Sequence, residues 1–263
     1  MKKTKIKRAI AAIVAFVLIA GIAYIANGLI GNPVSKMLSR YKAEKYIQTQ
    51  YADYNLSIDN VNYDFKVGSY YVNLSKPDSL DIHFTLYCDF LGNVIRDTYE
   101  WSVTDKTNTW TRLNNQYQQA ADEIFETDEY FKTLNTDYHG YMFGNLVDPM
   151  ESNFEYEIDG VYKTEEFAAT DGELCVSIYT DKPANFETLA ETLLGIKEVF
   201  DRRGLAFYSI ELFVSEGAYD VKTDNTIAVL DFLYSDIYPD GLVERVQANH
   251  EKHNNPDKAE LIG

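Results

Sequence analysis

Cysteine and histidine are scarce in this chain of 263 residues, and the usual signatures of chemistry are missing. Two cysteines, Cys88 and Cys175, are too few for a disulfide framework. Of four histidines only His250 and His253 are closely spaced, and no cysteine lies near them to complete a zinc site. No GxxxxGK[ST] or GxGxxG string is present to cradle a phosphate. The acidic loop from Glu216 to Asp224 lacks the alternating oxygen ligands and closing bidentate glutamate of a calcium loop, so it reads as a solvated hairpin. The expectation is therefore no metal, no cofactor, no assignable catalytic residue, and no enzyme.

Acids are absent from one end of the chain. Residues 1–8 carry five cations, Lys2, Lys3, Lys5, Lys7 and Arg8, and residues 9–30 then run without a charge. As a helix that run would extend roughly 33 Å, enough for the hydrocarbon core of a bilayer. Cations before the run and acids after it predict a cytoplasmic N-terminus and an extracytoplasmic body on a single transmembrane helix in the cell membrane. A cleaved signal peptide is the alternative. The run is long for an h-region, and its best small-x-small string, Gly21-Ile22-Ala23, sits inside the apolar stretch.

Beyond residue 30 lie 19 of the 24 cations and all 41 acids, a formal charge of −22. Such a body would be repelled by nucleic acid and by anionic headgroups. Cys88 shares strand parity with Phe84, Leu86 and Phe90, which points it inward; Cys175 is out of phase with Leu174, Val176 and Ile178. One bridge between the two thiols is permitted by the compartment but not demanded by the sequence.

The patterning predicts an α+β fold, with the transmembrane helix followed by two small α+β domains over residues 31–107 and 108–249, and a polar tail over 250–263. Asn32 caps a helix with Pro33 at its first position, and Val34, Met37, Leu38, Tyr41 and Ile47 form its core-facing stripe. A meander of four strands follows over 57–65, 70–74, 81–90 and 95–103, with turns at 66–69 and 91–93. In the second domain Asn108 caps a helix with the stripe Leu113, Tyr117, Ala120, Ala121, Ile124 and Phe125. Strands are expected over 154–158, 161–168 and 174–180, with turns at Asp159-Gly160 and Asp171-Gly172. Asn185 caps a helix over 186–203 that Gly204 ends, strands cover 207–214 and 226–234, and a short helix covers 242–248. These strands pair with packed helices as a mixed sheet.

The strings Gly31-Asn32-Pro33-Val34-Ser35-Lys36, Asp81-Ile82-His83-Phe84, Asn108-Thr109-Trp110-Thr111-Arg112-Leu113 and Asp231-Phe232-Leu233-Tyr234-Ser235-Asp236-Ile237-Tyr238 resemble those of the YfjL-like family of Gram-positive membrane-anchored proteins. The opening string is also similar to that of DUF3139 proteins. The resemblance implies location and architecture, and carries no catalytic residues.

His83 lies on the strand face opposite the core set and reads as a surface residue. His139, in the turn-rich stretch Asp137-Tyr138-His139-Gly140-Tyr141, is the one histidine placed to act as a general base, with no nucleophile to serve. Asp231 interrupts an apolar run and reads as a buried carboxylate needing Arg112, Arg203 or Arg245. Twenty-one tyrosines, among them Tyr70, Tyr71 and Tyr87, would suit glycan or peptide contact as well as half-buried packing. The preferred reading is a binding or interaction module at the cell envelope, with membrane contact through its helix and an envelope protein or glycan as partner. An envelope hydrolase using carboxylates or His139 is the alternative.

Overall fold

The computed structural model describes residues 2–134, 141–217 and 225–254. It is an α+β protein divided into two compact units, Met1–Thr109 and Trp110–Gly263.

The first unit opens with helix α1, Lys2–Ile30, whose large apolar side chains from Ile10 to Ile30 are exposed. Among the described residues it is the one helix long and apolar enough to cross a membrane. Gly31 turns the chain at φ +78°, where a Cβ would meet the Tyr63 ring at 2.7 Å. Helix α2, Pro33–Gln50, follows, with the Asn32 Oδ1 accepting from the Val34 amide at 2.8 Å. Strands β1 (Ser57–Asp64), β2 (Ser69–Ser75), β3 (His83–Cys88) and β4 (Val94–Asp97) form an antiparallel meander in sequence order. One face buries Val61, Tyr70, Val72, Leu74, Phe84, Leu86 and Cys88.

Helix α2 does not seat on this face through the stripe its apolar periodicity predicts. It buries Ser35, Ser39 and Ala43, and exposes Val34, Met37 and Tyr41. Small residues let the two backbones approach, and Gly92 of the β3–β4 turn completes the fit: a Cβ there would lie 2.6 Å from the Leu38 carbonyl carbon. The fourth strand also ends sooner than the sequence suggests. After β4 comes a π-helical turn, Glu100–Thr104, closed by the Asp105 amide donating to the Glu100 carbonyl at 2.8 Å.

In the second unit, sheet order is β5 (Met142–Leu146), β6 (Gly172–Thr180), β7 (Ser209–Glu216), β8 (Thr226–Leu233), with β6 and β7 parallel and the outer pairs antiparallel. Its core gathers Leu174, Val176, Ile178, Ile210, Leu212 and Val214 from the sheet with side chains of helices α3 (Thr107–Thr127), α4 (Glu129–Leu134), α6 (Phe186–Arg203) and α7 (Leu242–Asn254). Asn185 and Gly204 bound α6 as expected: the Asn185 Oδ1 accepts from the Thr188 amide at 2.9 Å, and Gly204 takes φ +72°.

Further expectations need correction. Asn108 does not cap α3; it lies inside the helix and donates from its amide to the Asp81 and His83 carbonyls. Residues 154–158 form no strand, and in place of 161–168 the chain folds into α5, Thr164–Asp171, so Asp171-Gly172 is a helix-to-strand junction. The buried Asp171 carboxylate holds the preceding loop by accepting from the Asn153 amide at 3.0 Å and from the Ser152 hydroxyl. A strand missed in the sequence, β5, passes so close to α3 that a Cβ on Gly144 would lie 2.7 Å from that of Ala121. Helix α7 runs on to Asn254, because the His250 ring packs on Phe186 and its Nδ1 lies 2.8 Å from the Ala228 carbonyl oxygen.

Candidate functional site

The open face of the first sheet is polar. The β1 and β2 side chains alternate, so Asn60, Asn62, Tyr71 and Asn73 stand opposite the core set. They form a ladder: the amides of Asn62 and Asn73 both donate to Asn60 Oδ1 at 2.8 Å, and Asn73 Oδ1 accepts from the Thr85 hydroxyl at 2.8 Å. Tyr71 donates to Asp64 and stacks edge-on against Tyr87 at 4.7 Å, with the Arg96 guanidinium over the Tyr87 ring. Fixed amides of this kind present donors and acceptors whose own geometry is already set.

Beside the ladder runs a groove of about 380 Å³, lined by Asp59, Asn73, His83, Tyr87, Trp101 and Asn108 among others. Trp101 is 60 % exposed. It is held there by the π-helical turn, whose neighbouring residues Ser102 and Val103 are buried, so the ring stands on a rigid support in water. An indole face beside hydroxyl and amide groups has the make-up of a surface for hydroxyl-rich or amide-bearing ligands. Neither His83 nor Asp59 carries the paired partners of a general acid–base device.

The other sequence-derived residues scatter. Tyr70 is core, its hydroxyl taking a 2.7 Å bond from the Asn32 amide, and so cannot be a contact residue. His139 lies outside the described residues, as do positions 218–224 of the acidic loop. His253 is exposed on α7, and among the described residues no group of three or more His, Cys, Asp or Glu could hold a metal ion. Asp231 is not buried or central. It sits exposed at φ +49° where edge strand β8 bulges against β7, because the register slips between Ile210 and Leu212. The three arginines offered to it bond elsewhere: Arg112 to the Gly160 carbonyl, Arg203 to Glu123 and Thr127, and Arg245 to the Asp236, Tyr238 and Asp240 carbonyls. Both cysteines are free, Cys88 buried and Cys175 half-buried.

Two sets of titratable groups are shifted through shared carboxylate neighbours. Burial, and then the Asp97 carboxylate, push the hydroxyl pKa values of Tyr46 and Tyr51 upward; both hydroxyls donate to Asp97 Oδ2, at 3.0 and 2.7 Å. That cluster ties α2 to β4 and is structural. In the second unit, burial and then the Asp231 and Glu211 carboxylates raise the Glu173 carboxyl. The sequence offered no signal for Trp101, since residues 95–103 read as one strand.

The arrangement defines an α+β protein with one potential membrane span and an amide- and aromatic-lined open sheet face. Residues 6–97 match the family model described as the YfjL-like N-terminal domain. No curated protein and no solved structure matches. The matched segment ends at Asp97, just before the turn that carries Trp101.

Proposed function

We propose that the protein is a single-pass, membrane-anchored, extracytoplasmic binding module that holds an envelope partner on the open face of its first sheet. One observation carries the reading: a rigidly mounted, exposed Trp101 borders a groove walled by ordered amides and hydroxyls. The five N-terminal cations before an uncharged 9–30 support the orientation. The polar, weakly charged lining favours a glycan or a peptide backbone over an ionic ligand.

Cross-linking in the native membrane tests it. Folded Trp101→Ala should capture the partner on the order of tenfold less, since a central aromatic often contributes 1.4 kcal/mol or more. Undiminished capture by that variant would remove the groove from the interface. External protease on wall-stripped cells should digest the body and leave a membrane-bound stub. A fully protected body would overturn the orientation.

An envelope hydrolase is the second reading, and the raised Glu173 carboxyl beside Glu211 and Asp231 is what favours it. It requires that Glu173→Gln abolish cellular function while partner capture persists.

A further inference from the structure

The strand register places the β1–β2 and β3–β4 turns of the first unit at one end of its sheet. Asp64 pairs with Ser69 across the first turn, and Tyr70 pairs with Cys88 just before the second. The C-terminus of α1 arrives at this same end: Tyr63 donates to the Gly28 carbonyl at 3.3 Å, and Tyr70 bonds the Asn32 backbone. The turns display Phe65 and Val67, and Phe90 and Leu91. Helix α2, leaving from here, displays Val34 and Met37. All six side chains are between 49 % and 75 % exposed.

These tips are built, not loose. In the first turn Asp64 Oδ1 accepts from the Lys66 amide at 2.7 Å, while its other oxygen takes the Tyr71 hydroxyl. In the second, Asp89 Oδ1 accepts from the Leu91 and Asn93 amides at 2.9 and 2.8 Å, and Lys42 donates to Asn93 at 2.6 Å. Two rigid turns that each hold apolar groups out into solvent leave unburied area that no part of the unit covers. Local charge is the second departure. The acidic body contrasts with α2, which carries Lys36, Arg40, Lys42 and Lys45 against Glu44 alone. Apolar side chains interleaved with cations, next to the end of an apolar helix, match the interfacial layer of a bilayer, where ring and alkyl groups enter the acyl boundary and cations face headgroup phosphates.

We infer that the α1-proximal end of the first unit, Val34, Met37, Phe65, Val67, Phe90 and Leu91, is a collar that inserts shallowly into the same bilayer leaflet that α1 exits. The inference rests on the membrane-anchored reading. The occupant is lipid: the span and the collar are contiguous through Gly31, and the collar's cations suit anionic headgroups. Seated this way, the sheet stands on the membrane with its opposite end, at Ser57 and Ser75, pointing away from it.

The test uses the full chain in vesicles of phosphatidylcholine and phosphatidylglycerol. An environment-sensitive fluorophore is attached to Phe65→Cys, Phe90→Cys, Leu18→Cys or Ser57→Cys, with Cys175→Ser and the buried Cys88 left in place. Brominated lipids should quench the probes at 18, 65 and 90 at least about twofold more than the probe at 57. Quenching at 18 with 65 and 90 behaving like 57 would overturn the collar and leave the anchor standing. No quenching at 18 would overturn the anchor and the collar with it. Shielding of 65 and 90 from an aqueous quencher without lipid quenching would assign this end to a protein contact and likewise refute the inference. Phe65→Trp and Phe90→Trp, read by the same brominated lipids, repeat the measurement should a labelled variant fold poorly.

Discussion

The two units solve the burial problem differently. The second builds a deep core, with α3, α6 and α7 closing over Leu174, Val176, Ile210 and Leu212 and with Phe125, Phe131, Phe200 and Phe207 in successive edge-to-face contact. The first has one helix over one sheet. It makes up the difference with hydroxyl bonds at its margin, such as Tyr46 and Tyr51 to Asp97, and leaves apolar side chains outside. A large core can carry a surface of ordinary polarity. A shallow one leaves apolar groups exposed, and the groove and the collar proposed above both fall in the first unit.

Breaking the second core should give the largest effect. Phe200 is fully buried and its ring lies 5.5 Å from those of Phe125 and Phe207. Phe200→Ala should cost about 3–5 kcal/mol, read from the midpoint of urea unfolding. A loss below about 1 kcal/mol would mean that the core collapses around the gap and is looser than its packing indicates.

The thiols sharpen the comparison from inside each unit. Burial pushes Cys88 up to about 11, and burial followed by the Glu211 carboxylate pushes Cys175 up to about 11. Against an ordinary value near 9, each should present about a hundredfold less thiolate at pH 8 than a free cysteine, and react with a thiol reagent correspondingly slowly. Because the folded state holds these protons more tightly than the unfolded chain, their contribution to stability is intact below about pH 9 and is lost as pH rises toward 11. Cys88, fully buried at the end of β3, should react only as fast as its unit opens. Cys175, on the open face of the second sheet, should respond to local motion. Equal rates for the two thiols at pH 8 would contradict this difference in burial.

What the sequence could and could not disclose follows from the kind of signal each element emits. Capped helices were legible: Asn32, Asn185 and Gly204 act as their chemistry requires, because a cap is a local interaction. The hairpin turns at 66–69 and 91–93 were legible for the same reason. The seat of α2 was not. Periodicity finds an apolar stripe but cannot say whether protein or some other apolar medium covers it, and here Ser35, Ser39 and Ala43 face the sheet. Strand β5 escaped notice because Gly144 removes the side chain that would mark its inner face. Trp101 stayed hidden since a π-helical turn has no composition of its own. The groove is likewise a product of sheet register, which brings Asn60 beside Asn73 and Asn73 beside Thr85 from three strands.

Asp231 provides the smallest effect and the most discriminating one. In the sequence it reads as a carboxylate trapped between apolar residues, and on that reading its neutralisation would cost several kcal/mol or release a catalytic group. The bulge in β8 instead turns it out to water at φ +49°. Asp and Asn are the side chains that tolerate this left-handed backbone best, so Asp231→Asn should leave stability within about 0.5 kcal/mol. Asp231→Val keeps the exposure but places a β-branched residue in a conformation it resists, and should cost about 1–2 kcal/mol. The pair of variants separates charge from backbone: a loss of several kcal/mol with both would restore the buried ion pair, whereas a loss with Val alone is the signature of a bulge on an open edge.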